Sequence, residues 1–415
     1  MKLIIFGKLS FNDLYFLYYA ISSLIRAIFS DILFNNYFYN PRYFYSMYLV
    51  TISRYFSIIP FLINKKLTKG KEGKIKEQKK IIIDNNANNL NNGQKSIKEI
   101  LKATLKISIF EFLADLIFAL FYFINDNPKI ISSYTLQIYS ILNTVAQYLV
   151  SYFVLNYHFY SHHYLSFGIN IFFTFIFLII DIIEIIKRSI SEYQFYMYIL
   201  MRIIRLFFYA LGDNYVKIAL YKYFLSPFSL MLVVGIEETI FLFICSIPFL
   251  FIKSSDTNKI VFADCFNFLT GINFLYSFII FLCNFFYESF LFIIVDRFSP
   301  SNLPLGFILD FFFNNIYRII KNKIKGEDNG YFLYIYIFIY IFLFIAAMIH
   351  NEIIIINRCG FNENTKLFLD DKVEQEIKEN ESLIDAEEYY SYEIRFSNPD
   401  EKLIPLEDMS SKNSN

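Results

Sequence analysis

Ten runs of about 18 or more predominantly apolar residues occupy most of this 415-residue chain, and each is long enough to cross the hydrocarbon of a bilayer as a helix. Their approximate limits are 13–34, 44–64, 103–124, 131–154, 166–187, 194–213, 226–252, 266–295, 303–320 and 331–356. Ten such helices use roughly 200 residues, which gives the 56% hydrophobic content an obvious destination. Only 18% of the residues are charged, where a soluble domain carries about 25%. The expected fold class is therefore all-α, a polytopic transmembrane helical bundle of nine or ten spans, and a typical soluble protein is excluded.

A net charge of zero hides an uneven distribution. Residues 65–102 hold eleven Lys against four acids, and 358–415 hold fifteen acids against seven Lys or Arg. Basic loops stay cytoplasmic, so the chain divides into two spans over 1–64, a basic Asn-rich cytoplasmic loop over 65–102, eight spans over 103–357, and an acidic cytoplasmic tail over 358–415. The loop and the tail lack any apolar period and should be disordered, with Gly360 expected to cap the last helix. Arg318, Lys321, Lys323 and Lys325 break the pattern, because ten spans would put them on the far side. The first ten residues show no cleavable signal peptide, and the first span would itself direct insertion. Cys245, Cys265, Cys283 and Cys359 have no paired spacing and read as packing residues, so no disulfide framework or metal site is indicated.

Charge at membrane depth costs about 2.5–3.5 kcal/mol per group on insertion scales, so each such group is a functional candidate. Arg26, Arg54, Arg202 and Arg205 are the basic ones; Glu111, Asp115, Glu237, Glu238, Glu288 and Asp310 are acidic; Asp181 and Glu184 lie near a helix end. Arg202 and Arg205, three apart, share a helix face, and a guanidinium pair suits phosphate or carboxylate in two-point contacts. The alternative is that they pair with Glu237 and Glu238 on the next span. Asn143, Gln147 and Ser151 recur every four residues on the fourth span, and Asn273, Ser277, Asn284 and Glu288 share a face of the eighth. Such stripes either join helices or line an aqueous path.

His158, His162 and His163 have the spacing of membrane di-iron sites, but the chain has only four histidines, too few for that chemistry. The segment 158–164 reads instead as the short turn between the fourth and fifth spans. Neither a nucleophile elbow, a phosphate-binding Gly-rich loop nor an H-E-x-x-H pair is present, so no catalytic residue and no cofactor is assigned. Tyr19 and Arg26 in the first span match Tyr198 and Arg205 in the sixth, an offset of 179 residues and five spans. An odd number of spans per repeat inverts the second half in the membrane.

A ten-span chain with a possible five-plus-five duplication and a short polar turn at Asn156-Tyr157-His158-Phe159-Tyr160-Ser161-His162-His163-Tyr164, followed by Gly168, resembles the drug/metabolite transporter superfamily of nucleotide-sugar, triose-phosphate and EamA-like carriers. Val295-Asp296-Arg297-Phe298-Ser299-Pro300 before Gly306 is similar in character. The family's helices are usually Gly-rich, whereas this chain has 12 Gly. The resemblance implies an alternating-access carrier working by exchange or proton coupling. The residues lead to a carrier for a small polar solute, anionic if the arginines meet it, in a cavity lined by the first, fourth, sixth, seventh and eighth spans. Arg26, Arg202 and Arg205 would meet the negative group, Asn143, Gln147, Asn273 and Asn284 would hydrogen-bond the rest, and Glu237, Glu238 and Glu288 would orient the arginines or carry a coupling proton. The implied partners are the bilayer and the solute, with no nucleic acid and with a homodimer compatible; the membrane is either an endomembrane or the plasma membrane. The rival reading is a non-transporting receptor or scaffold that recruits partners through the basic loop and acidic tail, and a lipid-directed transferase ranks behind it.

Overall fold

The computed structural model describes residues 4–6, 14–35, 42–63, 97–124, 136–157, 159–188, 192–223, 225–253, 260–264, 266, 269–326, 330–362 and 365. After a short strand β1 (Ile4–Phe6) come α1 (Leu14–Asn35) and α2 (Arg42–Ser53), which runs through a 3-10 turn at Arg54–Ser57 and on as helix to Ile63. Then follow α3 (Ile97–Ile124), α4 (Leu136–Leu155), α5 (Ser161–Arg188), α6 (Glu192–Tyr223), α7 (Pro227–Ser246), a single turn at Val261–Asp264, α8 (Ile272–Arg297), α9 (Leu303–Lys325), α10 (Gly330–His350) and strand β2 (Ile354–Ile356). The chain is mostly helical. Of the expected basic loop over 65–102, residues 65–96 lie outside the described residues and 97–102 open α3 instead; of the expected tail over 358–415, residues 363, 364 and 366–415 lie outside them.

Among the described residues, six stretches are long and apolar enough to cross a membrane: Leu14–Leu33, Tyr45–Ile63, Ser161–Ile180, Pro227–Ser246, Ile272–Arg297 and Pro300–Lys325. Leu142–Leu155 and Tyr334–His350 are shorter apolar stretches. These are compatible with an integral multi-pass membrane protein.

Local chemistry sets the boundaries. Ser226 caps α7 by accepting from the Ser229 amide at 3.2 Å, with Pro227 at the first helical position. Gly326, in the left-handed region at φ 70°, ends α9. The helix α6 runs ten residues past its expected end at 213, because its polar residues there are held internally: Asn214 is fully buried and donates to the Ala210 carbonyl at 2.7 Å. The Gly360 expectation is corrected. The last helix already ends at His350, and Gly360 (φ 74°) turns the chain after β2 instead. That strand pairs antiparallel with β1, Ile5 opposite Ile355, a clasp that the hydropathy pattern did not reveal.

The main helix pairs are α3 on α6 and α1 on α8; α4 on α6 and α1 on α9; α4 on α5 and α9 on α10; α3 on α7 and α2 on α8; and α2 on α7, α4 on α9 and α5 on α10, with smaller contacts of α8 on α6, α7 and α9, of α2 on α3 and of α6 on α7. The main core joins Phe16 and Tyr19 of α1 to Phe292 of α8 and Phe307 of α9. Close approach there depends on Gly306, where an added Cβ would stand 3.1 Å from the Tyr19 ring.

Candidate functional site

A cavity of about 710 Å³ lies among α1, α2, α3, α4, α6, α8 and α9, and its wall mixes apolar side chains with twelve charged ones. In the half around the middles of α1, α2, α3 and α8 it is lined by Arg26, Arg54, Glu111 and Glu288, with Asp213 of α6 and Asp310 of α9. One to three turns further along the same helices, toward the ends of α1 and α9, the lining charges are Arg202, Arg205, Arg318 and Lys321 with Asp31 and Asp115.

Arg54 is the structural centre of the first half. It occupies the 3-10 turn that interrupts α2 and is 4% exposed. A short 3-10 stretch inside a helix re-aims side chains and often marks a functional position. Its Nη2 lies 2.6 Å from Glu111 Oε2 and 2.9 Å from Glu288 Oε2, and its Nη1 lies 2.7 Å from Glu238 Oε1. One guanidinium thus gathers carboxylates from α3, α7 and α8. The approach of α7 needs Gly235, since an added Cβ would stand 2.8 Å from Arg54 Cβ. Similarly, a Cβ on Gly212 would meet Glu111 Cγ at 3.0 Å. Few glycines are present, and two of them admit members of this cluster.

The other pairs are less enclosed. Arg205 Nη2 bonds Asp115 Oδ1 at 3.1 Å and Tyr209 Oη at 3.0 Å, and the Tyr209 hydroxyl donates to the same carboxylate. Lys321 pairs with Asp31, which also accepts from Tyr317 at 2.9 Å. Arg26 donates to Asn284 Oδ1 at 3.4 Å and stacks on the Tyr287 ring at 4.2 Å. Asn314 donates to Asp310 at 2.6 Å, and Gln147 Nε2 donates to Asp213.

Several sequence expectations change here. Glu238 neutralises Arg54 rather than Arg202 or Arg205, because α6 packs its arginine face on α3 and α7 packs on α2 and α3. Glu237 turns away, half-buried, accepting from Thr104 at 2.8 Å and Ser108 at 2.5 Å. The seventh span contributes no residue to the described lining, whereas the second, third and ninth do. Arg26, Arg202, Arg205, Asn143 and Glu288 do line it; Gln147 and Asn284 stand one contact behind, on Asp213 and Arg26. Asn273, near the start of α8, is not among the described lining residues. The side chains of Asp181, Glu184 and Tyr198 lie outside the described residues.

The expectation missed Asp213 and treated Arg318 and Lys321 as loop charges. The signal was available in part: Arg202, Arg205, Tyr209 and Asp213 recur at 3, 4 and 4, one continuous helix face. The basic residues that broke the charge-sidedness rule are accounted for in part. Two of the four, Arg318 and Lys321, line the cavity instead of marking a cytoplasmic loop.

His162 and His163 open α5 instead of lying in the preceding turn, and His350 of α10 joins them, with ring centroids 4.0 and 4.5 Å apart in succession. These imidazoles pack in a row, their planes tilted by 48° and 51°. Among the described residues no group of three or more His, Cys, Asp or Glu could hold a metal ion. No protein-family model matches the chain, and no curated protein does.

Proposed function

We propose that the chain is a multi-pass membrane carrier that moves a small polar solute by alternating access through the charged cavity, with the ten-span architecture of drug/metabolite transporters. The observation that carries this reading is the cavity itself: twelve charged side chains around about 710 Å³ among helices of which several are long and apolar enough to span a membrane. Charges at that depth are costly unless they face water or a ligand.

The helix pairing supports the five-plus-five duplication. Exchanging α1–α5 for α6–α10 turns α1 on α8 into α6 on α3, α1 on α9 into α6 on α4, α4 on α5 into α9 on α10, and α2 on α8 into α7 on α3. The pairs α2 on α7, α4 on α9 and α5 on α10 map onto themselves. The same exchange relates Glu111 of α3 to Glu288 of α8, and sets Arg54 of α2 against Glu238 of α7, so the ion cluster straddles the pseudo-two-fold axis. Arg26 of α1 reaches α8, and Arg205 of α6 reaches α3, as counterparts. In such proteins substrate binds at the repeat interface and the halves rock about it.

The test is uptake into vesicles reconstituted with the full chain, using a panel of sugar phosphates, nucleotide sugars, organic acids, amino acids and amines. A solute carried by the protein should lose at least tenfold in uptake in the Arg202→Ala, Arg205→Ala double variant while the melting transition persists. Unchanged uptake in a folded double variant, or no uptake of any solute, overturns the carrier reading.

A further inference from the structure

The cavity is polarised along its length, and that polarity defines a class of solute. In the mid-helix half two basic side chains face four acidic ones, with the Glu238 carboxylate directly behind; in the other half four basic face two acidic. A cavity with a negative pole and a positive pole is complementary to a molecule carrying both charges, and it opposes a simple anion at one pole and a simple cation at the other.

The negative pole also holds buried acceptors that lack a partner. Arg54 is already shared among three carboxylates. Asp213 is 5% exposed and receives the Gln147 amide. Gln147 Oε1 and Asn143 Oδ1 are both buried without a hydrogen-bond partner, on side chains at 0% and 6% exposure. Asn143 and Asp213 face the cavity itself. Unsatisfied buried acceptors beside a carboxylate require a donor, and an ammonium group brings three N–H donors and a positive charge at once. At the opposite pole the forked guanidinium groups of Arg202 and Arg205 match a carboxylate.

We infer that the carrier's solute is a zwitterion, bound with its protonated amine at Asp213 and Asn143, with Gln147 behind them holding Asp213, and its carboxylate toward Arg202, Arg205 and Arg318. This rests on the carrier reading and sharpens the anionic cargo that the arginines alone suggest. Arg205 and Asp213 are eight residues apart on α6, about 12 Å along the axis. The long arginine side chain shortens the span that a solute must bridge, so a molecule whose charges are well separated should fit better than glycine.

The probes are ω-aminocarboxylates from glycine to 8-aminooctanoate, each with its N-acetyl and its methyl-ester derivative, measured as uptake by vesicles and as melting of the detergent-solubilised full chain. Ligand bound only to the folded state raises the melting temperature. Uptake should rise along the series and fall at least tenfold on masking either charge. In Asp213→Asn the parent should weaken toward its N-acetyl form; in Arg318→Gln it should weaken toward its methyl ester. An N-acetyl derivative handled as well as its parent overturns the proposal. Uptake of anionic solutes by a protein that ignores the whole series also overturns it, while leaving the carrier standing. No uptake of anything overturns the carrier reading and this one with it.

Discussion

Two polar regions are buried between these helices, and they are built on opposite terms. Around Arg54, three carboxylates share one guanidinium, an excess of negative charge, and Arg54, Glu111 and Glu288 face the cavity. At His162, His163 and His350, the rings pack tilted against one another and against Tyr148; both nitrogens of His350 lack a hydrogen-bond partner, and His162 Nε2 stands 3.4 Å from Glu352 Oε1. The first region is held by electrostatics in a low dielectric, the second by ring packing that tolerates unsatisfied nitrogens. Burial alone therefore does not mark function; the difference lies in which group is joined to a space that a ligand can enter.

The sharpest way to break the comparison is Arg54→Ala, which leaves Glu111, Glu238 and Glu288 facing each other without a cation. Removing one partner of a buried ion pair costs about 3–5 kcal/mol, so melting in detergent should drop steeply or the fold should be lost. A modest effect would mean that the carboxylates are not held by this guanidinium. Gly235→Ala approaches the same cluster from α7 and should cost about 1–3 kcal/mol by overpacking, since the new Cβ has Arg54 Cβ at 2.8 Å. Here a melting temperature equal to that of the unsubstituted protein would contradict the close approach of α7 to α2.

The histidine region should respond with the opposite sign. Leaving a buried polar atom without a partner costs about 1–3 kcal/mol, and Phe keeps a flat ring of similar size. His350→Phe should therefore raise the melting temperature, or hold it steady, with transport unaffected; a clear loss of stability would show that the imidazole nitrogens matter. The smallest effect belongs to Lys321→Gln. Lys321 and Asp31 are each about a quarter exposed, and such pairs contribute about 0–1 kcal/mol and weaken with salt. Stability should barely change, and any difference should vanish in high salt.

Much of the fold was legible in the residues. Apolar runs gave the existence of each helix, with ends that differ by up to ten residues, because a helix in lipid must satisfy its own backbone while its polar ends leave no hydropathy signal. The charges inside those runs were legible as well. Their partners were not. A single helix shows which residues share a face, yet it does not show which neighbour that face meets, so Glu238 was matched to arginines on the adjacent span when it belongs to Arg54. Asp213 was overlooked because it falls where hydropathy declines, although tertiary packing keeps α6 helical to Tyr223.

The sequence by itself determined that the chain is mostly helical, with stretches long and apolar enough to cross a membrane and charges inside them, since hydropathy and length are local properties of consecutive residues. Only the tertiary structure decided how those charges combine: one arginine in a 3-10 turn binding three carboxylates from three helices, and a cavity acidic at one pole and basic at the other. The physical reason is that electrostatic energy falls with distance in space, and residues 54, 111, 238 and 288 become neighbours only when the helices pack.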